Sequence, residues 1–237
     1  MRYTLTMPGA TGEYEAARRQ LCSEEMELRQ SIERVAAARR ALPAGPRVRD
    51  YEFFDGADRV KLPELFAEGK PFLVMYHVMY WPDDDDFCPM CSMWADSWNG
   101  VAPHVEQQAN IVLASLSPPE RLRDWSEKRG WDRIRVLADV DDSFAQDTGA
   151  QHGKGKPIST VLVFEKTPEG VLHRYTAHPE FDDDSWRGID QVCATWPILD
   201  LLPSGRGEDW HPENRYMLTP KPSATSRRSH RGPHKSR

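Results

Sequence analysis

The stretch PFLVMYHVMYW, residues 71–81, is apolar on both of its alternating faces. A strand with one wet face alternates apolar and polar residues, and this one does not. The run therefore predicts a central strand with cover on both sides. It is far too short to span a bilayer, and it carries His77. NIVLASLS, residues 110–117, has the same character, and IRVLAD after it predicts a shorter strand. Between them, PPERLRDWSEKRG opens with prolines and closes on Gly130, as a helix does. VRDYEFF, residues 48–54, predicts a strand with a turn at Asp55-Gly56, and VKLPELFAEGK a short strand followed by one or two helical turns. ISTVLVFEKTPEGVLHRYTA, residues 158–177, predicts a hairpin turning near Pro168-Glu169-Gly170. GIDQVCATWPILDLLP predicts a closing helix bent at Pro197. Strands alternating with helices, then a late hairpin, describe an α/β sheet covered on both faces.

Residues 47–216 hold this pattern, with an arm before it (1–46) and a tail after it (217–237). In the arm, Tyr14, Leu21, Leu28 and Val35 recur every seven residues on a stretch free of Pro and Gly from 13 to 41. That is a narrow apolar stripe on a long helix. Glu15–Arg19 and Glu25–Arg29 have the spacing of favourable helical ion pairs. LPAGP, residues 42–46, predicts its end. The helix is either an arm or the contact of a homodimer. The tail is basic and rich in Pro and Ser, without apolar period, and predicts disorder.

Charge narrows the choice of partner. The net charge is −6, and the six Lys and Arg beyond Met217 face no acid, which leaves −12 on the remainder. That balance argues against nucleic-acid binding by the folded body. The opening residues MRYTLTMPGATGEYEAARR show no apolar run behind their arginine, so the expectation is a cytoplasmic protein without a membrane partner.

Of four cysteines, Cys22 and Cys193 stand alone and read as small buried hydrophobes. The other two lie in FCPMCSMW, residues 87–94, where a buried strand gives way to a helical pattern from about Pro89 to Trp98. A helix N-terminus offers unpaired N–H groups and a partial positive charge, and both favour thiolate over thiol. Pro89 suits the first helical turn, where its missing N–H is no loss. Cys88 then reads as the attacking thiol. Cys91, one turn on and more buried, reads as the thiol that closes the ring. Four carboxylates, Asp83 to Asp86, oppose the helix. The expectation is a modestly acidified Cys88, with a pKa not below about 5. That aspartate run reads as a solvated loop, a divalent-cation site or a steering patch for basic partners. EFDDDSW, residues 180–186, shares the ambiguity. No second Cys-x-x-Cys exists, and the spacing of His77, His104 and His152 does not suggest zinc. Neither metal nor cofactor is expected. His77 reads as a neutral, hydrogen-bonded core residue, or as a proton acceptor for Cys91. Trp81, Trp94 and Trp98 read as packing, or as the roof of an apolar groove beside Cys88.

The ordered set RRALP, YEFFDG, LPELF, YHVMYWP, CPMCSMWADSWNG, RGW, LHRYTA, RGID and ILDLLPSGRGE resembles the bacterial family called domain of unknown function 899. Its members are described as thioredoxin-like dithiol–disulfide oxidoreductases. The resemblance runs from the N-terminal helix nearly to Trp210. It implies a thioredoxin-like fold and redox cysteines at Cys88 and Cys91, and supplies no substrate. His77 falls on the family's histidine before the motif; Tyr175 and Arg187 fall on its later Tyr and Arg-Gly elements. Two departures concern the partner surface: the extra acids before Cys88, and Trp131 leading into DRIRVLAD rather than an aromatic-rich strand. Thioredoxin-like sites carry a cis-proline before the strand that faces the cysteines. Pro157 precedes ISTVLVF, and Ser159 is the other occupant of that place. The expected substrate surface comprises Trp81, Pro89, Trp94 and Pro157, facing a disulfide-bearing protein or a small thiol or disulfide. Two other functions remain open. A thiol peroxidase wants Thr three residues before its cysteine, where Asp85 stands here. A redox-inactive binding module would use the long helix and acidic loop as contact surfaces.

Overall fold

A computed structural model describes residues 7–82, 87–152, 156–179, 188–189, 192–207 and 210–214. Asp83–Asp86, the acidic cluster 180–186, Arg187 and the basic tail lie outside the described residues. The chain forms two units, Met1–Gly45 and Pro46–Arg237.

The first unit is one helix, α1 (Gly12–Arg40). Thr11 caps it by accepting the Tyr14 N–H at 3.2 Å. Glu13 and Glu15 occupy the first turn and Arg39 and Arg40 the last, each matched to the helix dipole. Glu15 pairs with Arg19 at 3.9 Å, while Glu25 reaches back to Arg18 at 3.0 Å rather than forward to Arg29.

The second unit is an α/β sheet with helices on both faces, the expected thioredoxin-like arrangement. Its strands, in chain order, are β1 (Glu52–Asp55), β2 (Asp58–Lys61), β3 (Phe72–His77), β4 (Asn110–Ser115) and β5 (Arg135–Asp139). A short separate ladder of β6 (Gln151–His152) and β7 (Lys156–Pro157) follows, and then β8 (Thr160–Thr167) and β9 (Gly170–Ala177). The main sheet has the order β2-β1-β5-β4-β3-β8-β9. β3, β4 and β5 run parallel, joined through α2 (Pro89–Val105) and α3 (Pro119–Arg129). A short helix, α4 (Ser143–Thr148), follows β5. β8 runs antiparallel beside β3, with Tyr76 opposite Val161 and His77 opposite Thr160. Because the small ladder takes up Pro157, the predicted hairpin starts two residues later than read.

Two cores result, one on each face of the sheet. Tyr76, Cys91, Trp94, Trp98 and Trp196 belong to the first. Leu73, Met75, Phe144 and Phe164 belong to the second. Three elements depart from the sequence reading. β3 stops at His77 instead of running to Trp81, and a tight turn (Tyr80 N–H to Val78 O, 2.9 Å) carries the chain toward α2. α2 continues past Gly100 and through Pro103, because Ala102 is fully buried beneath it. The closing helix, α5 (Thr195–Leu199), is short.

Candidate redox site

Cys88 sits at the N-cap of α2, with φ −53° and ψ 118°. Its Sγ accepts the Cys91 N–H at 3.5 Å. Its carbonyl accepts the Ser92 N–H at 3.0 Å and the Ser92 hydroxyl at 2.9 Å, which pins the first turn. Pro89 follows at the first helical position and is exposed. Cys88 itself is half-buried. Its thiol is lowered to about 6, chiefly by the Cys91 side-chain hydrogen bond and further by the backbone N–H groups of Cys91 and Met90, against the opposing pull of burial. At neutral pH this favours the thiolate over the thiol. Cys91 is fully buried, and burial pushes its thiol well above the ordinary value, helped by the neighbouring Cys88. The pair thus holds a half-buried sulfur that favours the thiolate beside a buried one that stays a thiol.

The buried sulfur has a polar lining in an otherwise apolar core. Cys91 Sγ lies 3.8 Å from Ser159 Oγ, and that oxygen is 2.7 Å from the Tyr76 hydroxyl. Tyr76 and the Met79 backbone N–H, also close by, ease its ionisation against the larger opposing pull of burial. A second hydroxyl pair, Tyr80 and Ser92 at 2.9 Å, continues from there to the Cys88 carbonyl. Both tyrosines are pushed well above the usual phenol range, by burial first and by Cys91 second, so both stay protonated. The sequence reading missed this lining. Its one local signal is parity: Tyr76 and Val78 face α2, and Tyr80 returns to the same core.

Residues 6–227 match the family described as a bacterial protein of unknown function (DUF899). The chain belongs to that family. No curated protein matches the sequence. Among solved structures, it is similar to peroxidoxin BcpB from Mycobacterium tuberculosis at 24% identity and TM-score 0.47, over 67% of this chain and 98% of that one. AhpC from Enterococcus faecalis is similar at 16% identity and TM-score 0.46, over 63% and 87%. A peroxiredoxin-like protein from Aquifex aeolicus is similar at 16% identity and TM-score 0.43, over 58% and 76%. The fold assignment of this DUF899 protein rests on its own sheet order rather than on these likenesses.

Several expected site residues of this DUF899 protein take other positions. His77 is no proton acceptor for Cys91. Consecutive strand residues point to opposite faces, and His77 turns to the second core. There its Nε2 meets Asp139 Oδ2 at 3.1 Å, both side chains fully buried, and its ring lies 6.1 Å from Phe144. Trp94 is no groove roof. It is 2% exposed and packs edge-on against Trp196 at 5.4 Å. Trp98 is likewise core, donating its indole N–H to Val192 O at 3.2 Å. Pro157 is buried in β7 opposite Gln151, and the described residues contain no cis peptide. Ser159, two residues later, is the one that meets the cysteine. Trp81 and Pro89 keep surface exposure near the motif in sequence. Tyr175 lies half-buried in β9, opposite Val163. Cys193 is buried as expected, whereas Cys22 is only half-buried. Among the described residues no three acidic, His or Cys side chains gather as a metal cage, and no helix is long and apolar enough to cross a membrane.

Proposed function

We propose that this protein is a thiol–disulfide oxidoreductase in which Cys88 attacks and Cys91 resolves. One juxtaposition supports the reading: a half-buried cysteine at the N-cap of α2, its thiol lowered to about 6 by the Cys91 side chain and the N–H groups of the first turn, next to a buried thiol one helical turn on. The Cys88 thiolate attacks a disulfide R–S–S–R′, and R′S⁻ departs and takes a proton from water. Cys91 then gives up its proton and attacks the Cys88 sulfur of the mixed disulfide, the S–R bond breaks, and the departing sulfur takes the electron pair and a proton and leaves as R–SH. The substrate is thereby reduced by two electrons and the pair is oxidised to Cys88–Cys91. The substrate class is a disulfide-bearing protein or a small disulfide. A stabilised Cys88 thiolate favours the reduced pair, which shifts the couple toward the oxidising side of the range.

Equilibration in graded dithiol buffers tests this. The expected result is a reversible two-electron couple between about −120 and −270 mV, lost in Cys91→Ser. A pair that stays in one state throughout the range overturns the reading. Rapid sulfenic acid at Cys88 on adding peroxide, with no dithiol couple, assigns the site to peroxide reduction instead.

A further inference from the structure

Cys91 must ionise inside the core before it can attack. The residue is 1% exposed and shares a cluster with Trp94, Trp98 and Val161. An unaided thiolate there is strongly disfavoured, because no water solvates the charge. We propose that the hydroxyls of Tyr76 and Ser159 form a donor cradle that holds the Cys91 thiolate while it attacks the mixed disulfide on Cys88. The inference rests on the dithiol reading above and adds Ser159 as the donor to the reacting sulfur, with Tyr76 as the residue that positions it.

Proton counting supports the cradle. Cys91 S, Ser159 O and Tyr76 O form a chain, 3.8 Å from the sulfur to Ser159 and 2.7 Å from Ser159 to Tyr76. With Cys91 protonated, the thiol donates to Ser159, and Ser159 donates to Tyr76. Hydroxyl protons rotate freely to suit their partners. When the thiol proton leaves, Tyr76 turns to donate to Ser159, and Ser159 to the sulfur. Both arrangements use the same heavy-atom positions, with no repacking. Donors already aimed at a developing charge inside a water-poor site are worth more than the same groups in solvent. Tyr76 keeps its proton throughout, and its ring is held between Trp94 at 6.0 Å and Trp98 at 5.4 Å.

The first half-reaction also prepares the second. While Cys88 is a thiolate, it opposes ionisation of Cys91. Once Cys88 is tied up in a mixed disulfide, that opposing charge is gone, and burial is what the cradle must offset. The step balances: Cys91–SH and Cys88–S–S–R become Cys88–S–S–Cys91 and R–SH. The S–R bond to Cys88 breaks, and the proton from Cys91 ends on the departing sulfur.

The reduced full chain mixed with 5,5′-dithiobis(2-nitrobenzoate) releases thionitrobenzoate in two phases, attack by Cys88 and then resolution by Cys91. Ser159→Ala removes the donor that reaches the sulfur. It should leave the first phase unchanged, slow the second about tenfold or more, and move its pH midpoint up by about one unit. Tyr76→Phe, which keeps the ring and removes the hydroxyl behind Ser159, should slow the second phase less, about threefold. Tyr51→Phe, whose hydroxyl serves Asp147 on the other face of the sheet, should leave both phases within about twofold of wild type. A wild-type second phase in Ser159→Ala, or equal slowing of both phases in it, or a Tyr51→Phe effect as large, overturns the cradle. A wild-type protein with no second phase overturns the dithiol reading as well.

Discussion

Tyr76 and His77 are consecutive in β3, yet they serve opposite halves of the molecule. Tyr76 turns its hydroxyl to Ser159, which reaches the Cys91 sulfur, in the core beneath α2. His77 turns its ring to Asp139 and Phe144, in the core on the other side. Both are fully buried polar groups with partners, so burial and hydrogen bonding alone do not separate them. The partner does. Asp139 is a fixed partner on the end of β5, and the pair ties two parallel strands together across β4. Cys91 is a thiol whose proposed work requires a change of charge, and hydroxyls that rotate suit such a partner. One face reads as chemistry and the other as architecture.

The sharpest way to break that division is to damage each face and read both properties. Cys88→Ser removes the attacking sulfur, and disulfide exchange should fall by about a thousandfold or more, because the thiolate is the reacting species. Its thermal midpoint in the reduced state should stay within about 5 °C of wild type, since the side chain is half-buried and small. His77→Ala should do the reverse. It leaves the Asp139 carboxylate buried without its ring, at a cost of about 3 kcal/mol in urea unfolding. The pH midpoint of Cys88 alkylation should not move. A shifted midpoint in His77→Ala would mean that the two faces communicate through β3.

The same pair of residues shows where sequence reading stops. Apolar residues on both faces of 71–81 identify a central strand, because double-sided burial leaves its mark on composition. The junction of that strand with Cys88 and Pro89 identifies the helix start, because capping chemistry is local. Which neighbour faces the thiol is not local. It depends on the parity with which β3 docks beneath α2, and a one-residue slip exchanges Tyr76 for His77. Ser159 arrives at the site 68 residues after Cys91, through the placement of β8 beside β3. Pro157, the more conspicuous residue, is drawn instead into the small ladder with Gln151. Three tryptophans near the motif suggest a groove, but Trp94 finds Trp196, which no spacing announces. The helical pattern reads to about Trp98, whereas α2 runs on through Gly100 and Pro103 to Val105, with Ala102 fully buried.

A smaller effect sharpens the comparison from the chemical side. Cys88 at about 6 predicts that iodoacetamide alkylation of the native reduced protein rises with pH to a plateau, with half the plateau rate near pH 6. Linkage fixes the sign of the accompanying stability change. The folded pKa is depressed below the ordinary thiol value of 9.0, so the contribution is complete above that value and is lost as pH falls through about 6. Relative to Cys88→Ser, the reduced protein should therefore gain stability between about pH 6 and 9, by at most about 1.4 kcal/mol per pH unit. A flat difference across that window would return Cys88 to an ordinary thiol and leave the α2 terminus without a chemical role.

The smallest effect belongs to Pro89, and it tests how the terminus is held. Pro89 is exposed at the first helical position, where no backbone donor is needed. Its ring contributes mainly by restricting the unfolded chain, so Pro89→Ala should lower stability by only about 0.5 kcal/mol. The groups that lower Cys88 belong to Cys91 and Met90, and Ser92 pins the Cys88 carbonyl; none of them depends on the proline ring. The alkylation midpoint in Pro89→Ala should accordingly stay within about 0.3 units of wild type. A rise of a full unit would show that the fixed backbone of Pro89, rather than the turn of N–H groups behind it, aims the helix at the sulfur. The acidity of Cys88 would then be a property of the entry into α2, and the contrast between the two faces of β3 would need to be redrawn further along the chain, at the turn that joins strand to helix.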